Sequence, residues 1–145
     1  LADQGRLGRK TKAGFYDYDE GAKRQGFWAG LATEWPEAET QPELTEIQHR
    51  LMFAQSLEAV RALEEGVLED IREGDVGAIL GWGFAPWSGG PFGWLDMLGA
   101  PRAVEIADSL AEKSGRRFAA PQLLRDMAAK GESFYGRFGA GKQAA

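Results

Sequence analysis

Apolar side chains recur at helical spacing through most of this 145-residue chain, and Gly or Pro separates one periodic stretch from the next. From about 43 to 65 good helix formers run without interruption, closing at Gly66, a residue that accepts the left-handed conformation of a helix end. Projected at about 100° per residue, Leu44, Ile47, Leu51, Met52, Ala59, Ala62 and Leu63 gather on one side. Glu46, His49, Arg50, Arg61 and Glu64 gather opposite. Phe53, Leu57 and Val60 fall outside that apolar arc, so several neighbours are expected to pack around the helix.

Beyond Gly66 an acidic stretch, Glu69 to Glu73, leads through Gly74 to Asp75, which is predicted to cap a brief helix near 76–81. A turn-rich aromatic loop follows over 83–90. Pro91 then stands at a first helical position, with Gly99 ending that helix. Pro101 opens the next, whose stripe is Val104, Ala107 and Leu110 flanked by Ala103, Ile106 and Ala111, up to Gly115. The same grammar repeats from Pro121 to Gly131 with Leu123, Leu124, Met127 and Ala128, followed by an anchor at Phe134 and Tyr135. Residues 1–26 show little periodicity and read as a tail with one short extended piece, Gly14 to Tyr18. Residues 27–42 read as a linker, and 139–145 as a frayed end. No alternating pattern of strand length appears, so the predicted class is all-α, with the main domain over 43–138.

Composition narrows the function classes. At 43% apolar and 27% charged the chain falls in the globular range, and one domain is the natural count. A net charge of -5 and a pI near 5.0 oppose binding to nucleic acid. No cysteine is present, so disulfides, a thiol nucleophile and thiolate metal ligation are excluded, in keeping with a cytoplasmic setting. No apolar run reaches the length of a membrane span. The start lacks Met, and the chain is expected to be a piece of a longer protein.

Candidate chemistry is sparse. His49, the only histidine, shares its helix face with Glu46 and Arg50, and no serine or carboxylate is placed to complete a relay, so it reads as structural or solvated. Gly81-Trp82-Gly83-Phe84-Ala85-Pro86 begins like a dinucleotide fingerprint, but Pro replaces the third Gly and no strand precedes it. Gly141-Lys142 is followed by Gln143 and so fails as a phosphate loop. Asp70, Asp75 and Asp96 with Glu69 and Glu73 have no EF-hand spacing and read as helix caps. Trp82, Phe84, Trp87, Phe92 and Trp94 cluster within thirteen residues, either as a stacking platform or as a core wall. Gly89-Gly90 allows a close backbone approach or a tight turn. No catalytic, cofactor-binding or metal residue is assigned.

A resemblance adds to this reading. Gly81 to Gly99, GWGFAPWSGGPFGWLDMLG, resembles the signature of the carboxy-terminal domain of 3-hydroxyacyl-CoA dehydrogenases, in which G-F/Y-P, a Gly-Pro-Phe turn and Leu-Asp-x-x-Gly recur. Arg50 to Gly66 is similar to the long helix of that domain in the multifunctional β-oxidation enzymes. Gly5 to Thr11 and Gly14 to Tyr18 resemble the family's G-R-x-G-x-K-T-G-x-G-F-Y-x-Y motif, with Lys12 and Ala13 departing from its usual Gly. In single-copy members that motif follows the Gly-Pro-Phe turn; here it precedes it by about seventy residues, as two tandem copies would explain.

The resemblance implies an all-α fold like the 6-phosphogluconate-dehydrogenase C-terminal domain. Residues 1–26 would be the tail of a preceding copy and 43–138 a second copy. The parent enzyme would oxidise L-3-hydroxyacyl-CoA with NAD, its His–Glu pair lying in an upstream dinucleotide domain. None of those catalytic motifs matches a position here, and no cofactor is expected on this segment. The second copy would act as support, packing like the partner of a dimer, with homo-oligomers possible and with Phe53, Leu57 and Val60 turned towards the missing copy. The residues alone leave two other readings open: a helical protein-interaction module, or a small-ligand binder using Trp82, Trp87 and Trp94.

Overall fold

The computed structural model describes residues 1–139, and the chain divides into two compact units, Leu1–Gln41 and the remainder from Pro42. In the first, β1 (Tyr16–Tyr18) pairs antiparallel with β2 (Arg24–Phe27), setting Tyr16 against Phe27 with an irregularity after Asp17. A four-residue helix, α1 (Leu31–Glu34), follows. The single extended piece expected over 14–18 thus has a strand partner that Gly26 and the polar Arg24 and Gln25 concealed. Arg6 organises this unit: its guanidinium donates to Gly14 O at 2.9 Å and Asp17 at 2.6 Å, and lies 4.2 Å over the Trp28 ring. Lys12, standing where the related motif has Gly, takes φ 57°, a left-handed conformation that costs a side-chain-bearing residue about 1–2 kcal/mol. Among the buried residues of this unit there is no hydrophobic side chain.

The second unit is all-α. Its helices are α2 (Leu44–Glu64), α3 (Ile71–Trp82), α4 (Pro91–Leu98), α5 (Ala100–Ser114), α6 (Gln122–Lys130) and α7 (Phe134–Phe138). The short, apolar α4 lies at the centre and touches α2, α3, α5 and α7, while α6 packs on α5. Around it the dry core gathers Phe53, Leu57, Ile71, Phe92, Leu95, Ala103, Leu124, Met127 and Phe134. Glycines close the elements where the backbone must turn left-handed, as at Gly83 (φ 78°) and Gly131 (φ 66°).

Two expectations are corrected. Phe53, Leu57 and Val60 are fully buried and Met52, Ala59 and Leu63 pack at the core's edge, whereas Leu44 and Leu51 remain 67% and 63% exposed, so the buried side of α2 is centred on the three residues left outside the arc. The polar residues of α2 also act on neighbouring elements from the exposed rim. Glu64 accepts the Leu123 N–H at 2.8 Å at the start of α6, Arg61 donates to the carbonyls of Arg117 and Ala119, and Glu46 meets Lys113 of α5. Long polar side chains reach around the rim while the three apolar residues between them fill the centre. The second correction concerns α3, which begins at Ile71 and not near 76. Its cap is Asp70, whose carboxylate accepts the Arg72 N–H at 2.9 Å. Asp75 lies inside the helix and caps a different one.

Candidate functional site

The segment from Asp75 to Gly99 is built around one buried carboxylate. Asp75 is 2% exposed, and its two oxygens accept the N–H groups of Phe92 at 2.8 Å and Gly93 at 3.1 Å, the first turn of α4. The Tyr135 hydroxyl donates to it from α7 at 2.9 Å. A helix start leaves its first N–H groups without partners and carries partial positive charge, so a carboxylate from α3 satisfies both needs at once. Gly90 makes the approach possible: at φ 109°, a Cβ there would lie 2.5 Å from Asp75 atoms. Burial pushes the Asp75 carboxyl above its ordinary range, against the pull of its three hydrogen bonds. The Tyr135 phenol is pushed up to about 12, by burial first and then by its bond to Asp75.

Asp96 repeats the device one helix on, accepting the N–H groups of Phe134 at 2.6 Å and Tyr135 at 2.9 Å at the start of α7. The result is a closed circuit: α3 caps α4, α4 caps α7, and α7 returns a hydroxyl to α3. With their lone pairs committed to backbone donors, Asp75 and Asp96 are poorly disposed to act as general bases. Asp70 forks Arg72, whose bond holds its carboxyl down at about 2. Among the described residues no group of three His, Asp or Glu side chains is placed to hold a metal ion. The Gly141-Lys142 pair lies outside the described residues.

The aromatic cluster splits in two. Phe84, Phe92 and Trp94 are core, with Trp94 edge-on to Phe53 at 4.9 Å and Phe92 against Phe134 at 5.1 Å. Trp82 and Trp87 are exposed, Trp82 donating its indole N–H to Gln55 on the outer side of α2 at 3.0 Å. Trp87 and Trp94 border an apolar groove of about 290 Å³ with Leu51, Met52 and Leu98. Trp82 does not border it, so the three tryptophans singled out from the sequence do not share one site. Gly89 and Gly90 form the tight turn into α4, closed by Ser88, whose hydroxyl donates to Ala85 O at 2.7 Å.

His49 is half-buried, edge-on to Phe53 at 5.9 Å, and burial followed by the nearby Arg102 lowers its pKa. It borders a second cleft of about 340 Å³ whose charges are largely paired within the protein: Glu46 with Lys113 and Arg50, Arg102 with Glu105. Sequence reasoning missed Tyr135 as a partner of Asp75 and Arg61 as a tie to the 117–119 loop. The only signal for either was an unusual polar residue beside an apolar run.

Comparison with known proteins agrees with the geometry. The family described as 3-hydroxyacyl-CoA dehydrogenase, C-terminal domain, matches residues 47–137. The fatty acid oxidation complex subunit alpha of Shewanella amazonensis is 42% identical over 140 residues, covering 93% of this chain and 19% of that protein. The protein of the same description from Vibrio cholerae is 40% identical over 138 residues, again covering 93% of this chain and 19% of its own length.

Proposed function

Since the chain belongs to the 3-hydroxyacyl-CoA dehydrogenase C-terminal domain family, we propose that it forms the helical C-terminal part of a longer enzyme of fatty-acid β-oxidation. That enzyme oxidises L-3-hydroxyacyl-CoA to 3-ketoacyl-CoA with NAD in the cytoplasm. The chain spans 19% of the length of the curated relatives it matches, which leaves room in such a polypeptide for a dinucleotide domain and a first helical copy. In this reading residues 1–26 complete that first copy, 27–42 link the two, and 43–138 pack against it as a dimer partner would. The role of this segment is support, with the hydride and proton transfers performed elsewhere in the polypeptide.

The observation that carries the support role is an apolar face the segment does not use. Leu44, Ile47 and Leu51 on the outer side of α2, and Val76 and Leu80 on the outer side of α3, are exposed, Leu80 by 79%. This set replaces Phe53, Leu57 and Val60, which the domain's own core consumes. Water-facing rows of this kind on helices are what a neighbouring helical domain covers. Among the described residues no helix is long and apolar enough to cross a membrane.

The test has two arms. The purified chain is mixed with acetoacetyl-CoA and NADH, where the expected result is no turnover; turnover would show that the chemistry resides here. Sedimentation over a concentration series should show self-association that Leu51→Glu with Leu80→Glu abolishes, and a monomer at every concentration would refute the face. A second reading is favoured by the groove at Trp87 and Trp94, whose aromatic surface suits stacking against a sugar or an adenine ring. Quenching of tryptophan fluorescence by coenzyme A or simple sugars would support it over the first.

A further inference from the structure

Every arginine of the described helical unit except two sits on a carboxylate. Arg50 pairs with Glu46, Arg61 with Glu58, Arg72 with Asp70, Arg102 with Glu105, Arg125 with Asp108 and Arg137 with Glu132. The two exceptions, Arg116 and Arg117, are adjacent, lie on one short helical turn (Arg116–Phe118), and border the same cleft. In a chain of net charge -5, an uncompensated pair of guanidinium groups is a local reversal of sign.

Arg61 spans one side of the cleft. Its Nη2 donates to Arg117 O at 3.0 Å and to Ala119 O at 2.9 Å, while Nη1 holds Glu58 at 3.0 Å. The turn is therefore tied to α2. Gly115, at φ 98°, provides the sharp exit from α5 that starts the turn. The cleft is open to solvent, about 570 Å³ in volume, and bordered by Glu58, the three arginines and the chain from Ala119 to Pro121. Three arginines and one acidic residue thus border the same space.

We propose that this cleft is a binding site for a phosphate monoester, with Arg116 and Arg117 as its ligands and Arg61 as the residue that positions them. A guanidinium offers a planar fork of N–H donors that matches two oxygens of an anion. A carboxylate, with two oxygens, satisfies one such fork; the three terminal oxygens of a phosphate monoester serve two forks arriving from different directions. The volume exceeds what an inorganic ion fills, which leaves space for the group esterified to the phosphate. The site is independent of the role proposed above: its α2 residues, Glu58 and Arg61, are other than the exposed Leu44, Ile47 and Leu51 of that helix.

The experiment is isothermal titration of the whole chain with adenosine 5′-monophosphate and, in parallel, with inorganic phosphate. One saturable site is expected for the monophosphate, weakening as salt is raised, as a contact between exposed charges must. Arg116→Gln with Arg117→Gln should weaken it by about tenfold or more, the scale of one lost charge-assisted bond. Arg102→Gln, remote from the cleft, should leave it unchanged, and circular dichroism reports whether each variant keeps its helices. Arg116→Lys with Arg117→Lys keeps the charge but not the forks and should bind between the two. Absence of saturable binding, or equal binding by the double Gln variant, overturns the site; equal affinity for inorganic phosphate overturns the ester assignment.

Discussion

Replacing Asp75 by Ala removes one carboxylate and leaves three donors from two helices without their acceptor. The Phe92 N–H is buried and has no other partner in reach, and the Gly93 N–H is part-buried. The Tyr135 hydroxyl sits on a partly exposed ring and can turn to water. A buried donor deprived of its acceptor costs about 1–3 kcal/mol, so the two backbone groups together set a loss of about 3 kcal/mol, with the tyrosine adding little. Removing the charge returns part of this, because burial of the carboxylate outweighs its bonds and holds its pKa above the ordinary range.

The sign of the pH dependence follows. A carboxyl with a raised folded pKa binds its proton more tightly in the folded state than in the unfolded one. Its contribution is complete below the unfolded value and declines as pH rises through the folded value. The deficit of Asp75→Ala relative to the parent chain is therefore largest in acid and narrows towards neutrality. Urea unfolding followed by tryptophan fluorescence at several pH values measures both quantities. A loss below about 1 kcal/mol, or a deficit that widens as pH rises, would refute the view of Asp75 as the cap that seats α4.

Four further outcomes are expected. Gly77→Ala and Gly81→Ala should each raise stability by about 0.5–1 kcal/mol in denaturant unfolding, since an added Cβ meets nothing within 4 Å at either position. Gly74→Ala should lower it, because its Cβ would lie 2.6 Å from Leu68 Cδ2 and 2.9 Å from Phe92. In an alkaline titration followed by phenolate absorbance, one tyrosine should ionise near 12, and Asp75→Ala should bring it down; the stability contributed by that phenol is complete below its unfolded value and lost as pH rises through about 12. A peptide of residues 1–41, which has no buried hydrophobic side chain, should give the amide spectrum of an unfolded chain.

The helical punctuation was legible because it is local. Pro91, Pro101 and Pro121 with Gly99, Gly115 and Gly131 mark ends whose geometry depends on a few neighbouring dihedrals, and α4, α5 and α6 fall where those residues put them. The facing of α2 was not legible, because periodicity reports which residues share a side and not what each side meets. Two apolar rows run along that helix, and the elements that bury one of them, like the partners of Glu46, Arg61 and Glu64, lie far along the chain. Asp75 failed for the same reason. An aspartate after glycine reads as a local cap, yet its acceptors serve N–H groups 17 and 18 residues on.

These misreadings share one physical cause that bears on function. In this domain carboxylates and guanidinium groups hold the helix ends from a distance, and apolar side chains are left over on the outside. Leu44, Leu51 and Leu80 stand exposed on the outer sides of α2 and α3. Here the cross-helix caps of Asp75, Asp96 and Glu64 fix the orientation of α3, α4, α6 and α7 without the outer rows of α2 and α3, so those rows stay available and rigidly presented. The claim is separable by experiment. Leu51→Glu should change the unfolding free energy of the isolated chain by no more than about 0.5 kcal/mol, as expected for an exposed position. The same substitution should remove self-association; if it instead unfolded the chain, Leu51 would be a core residue and the outer row would have no partner to explain.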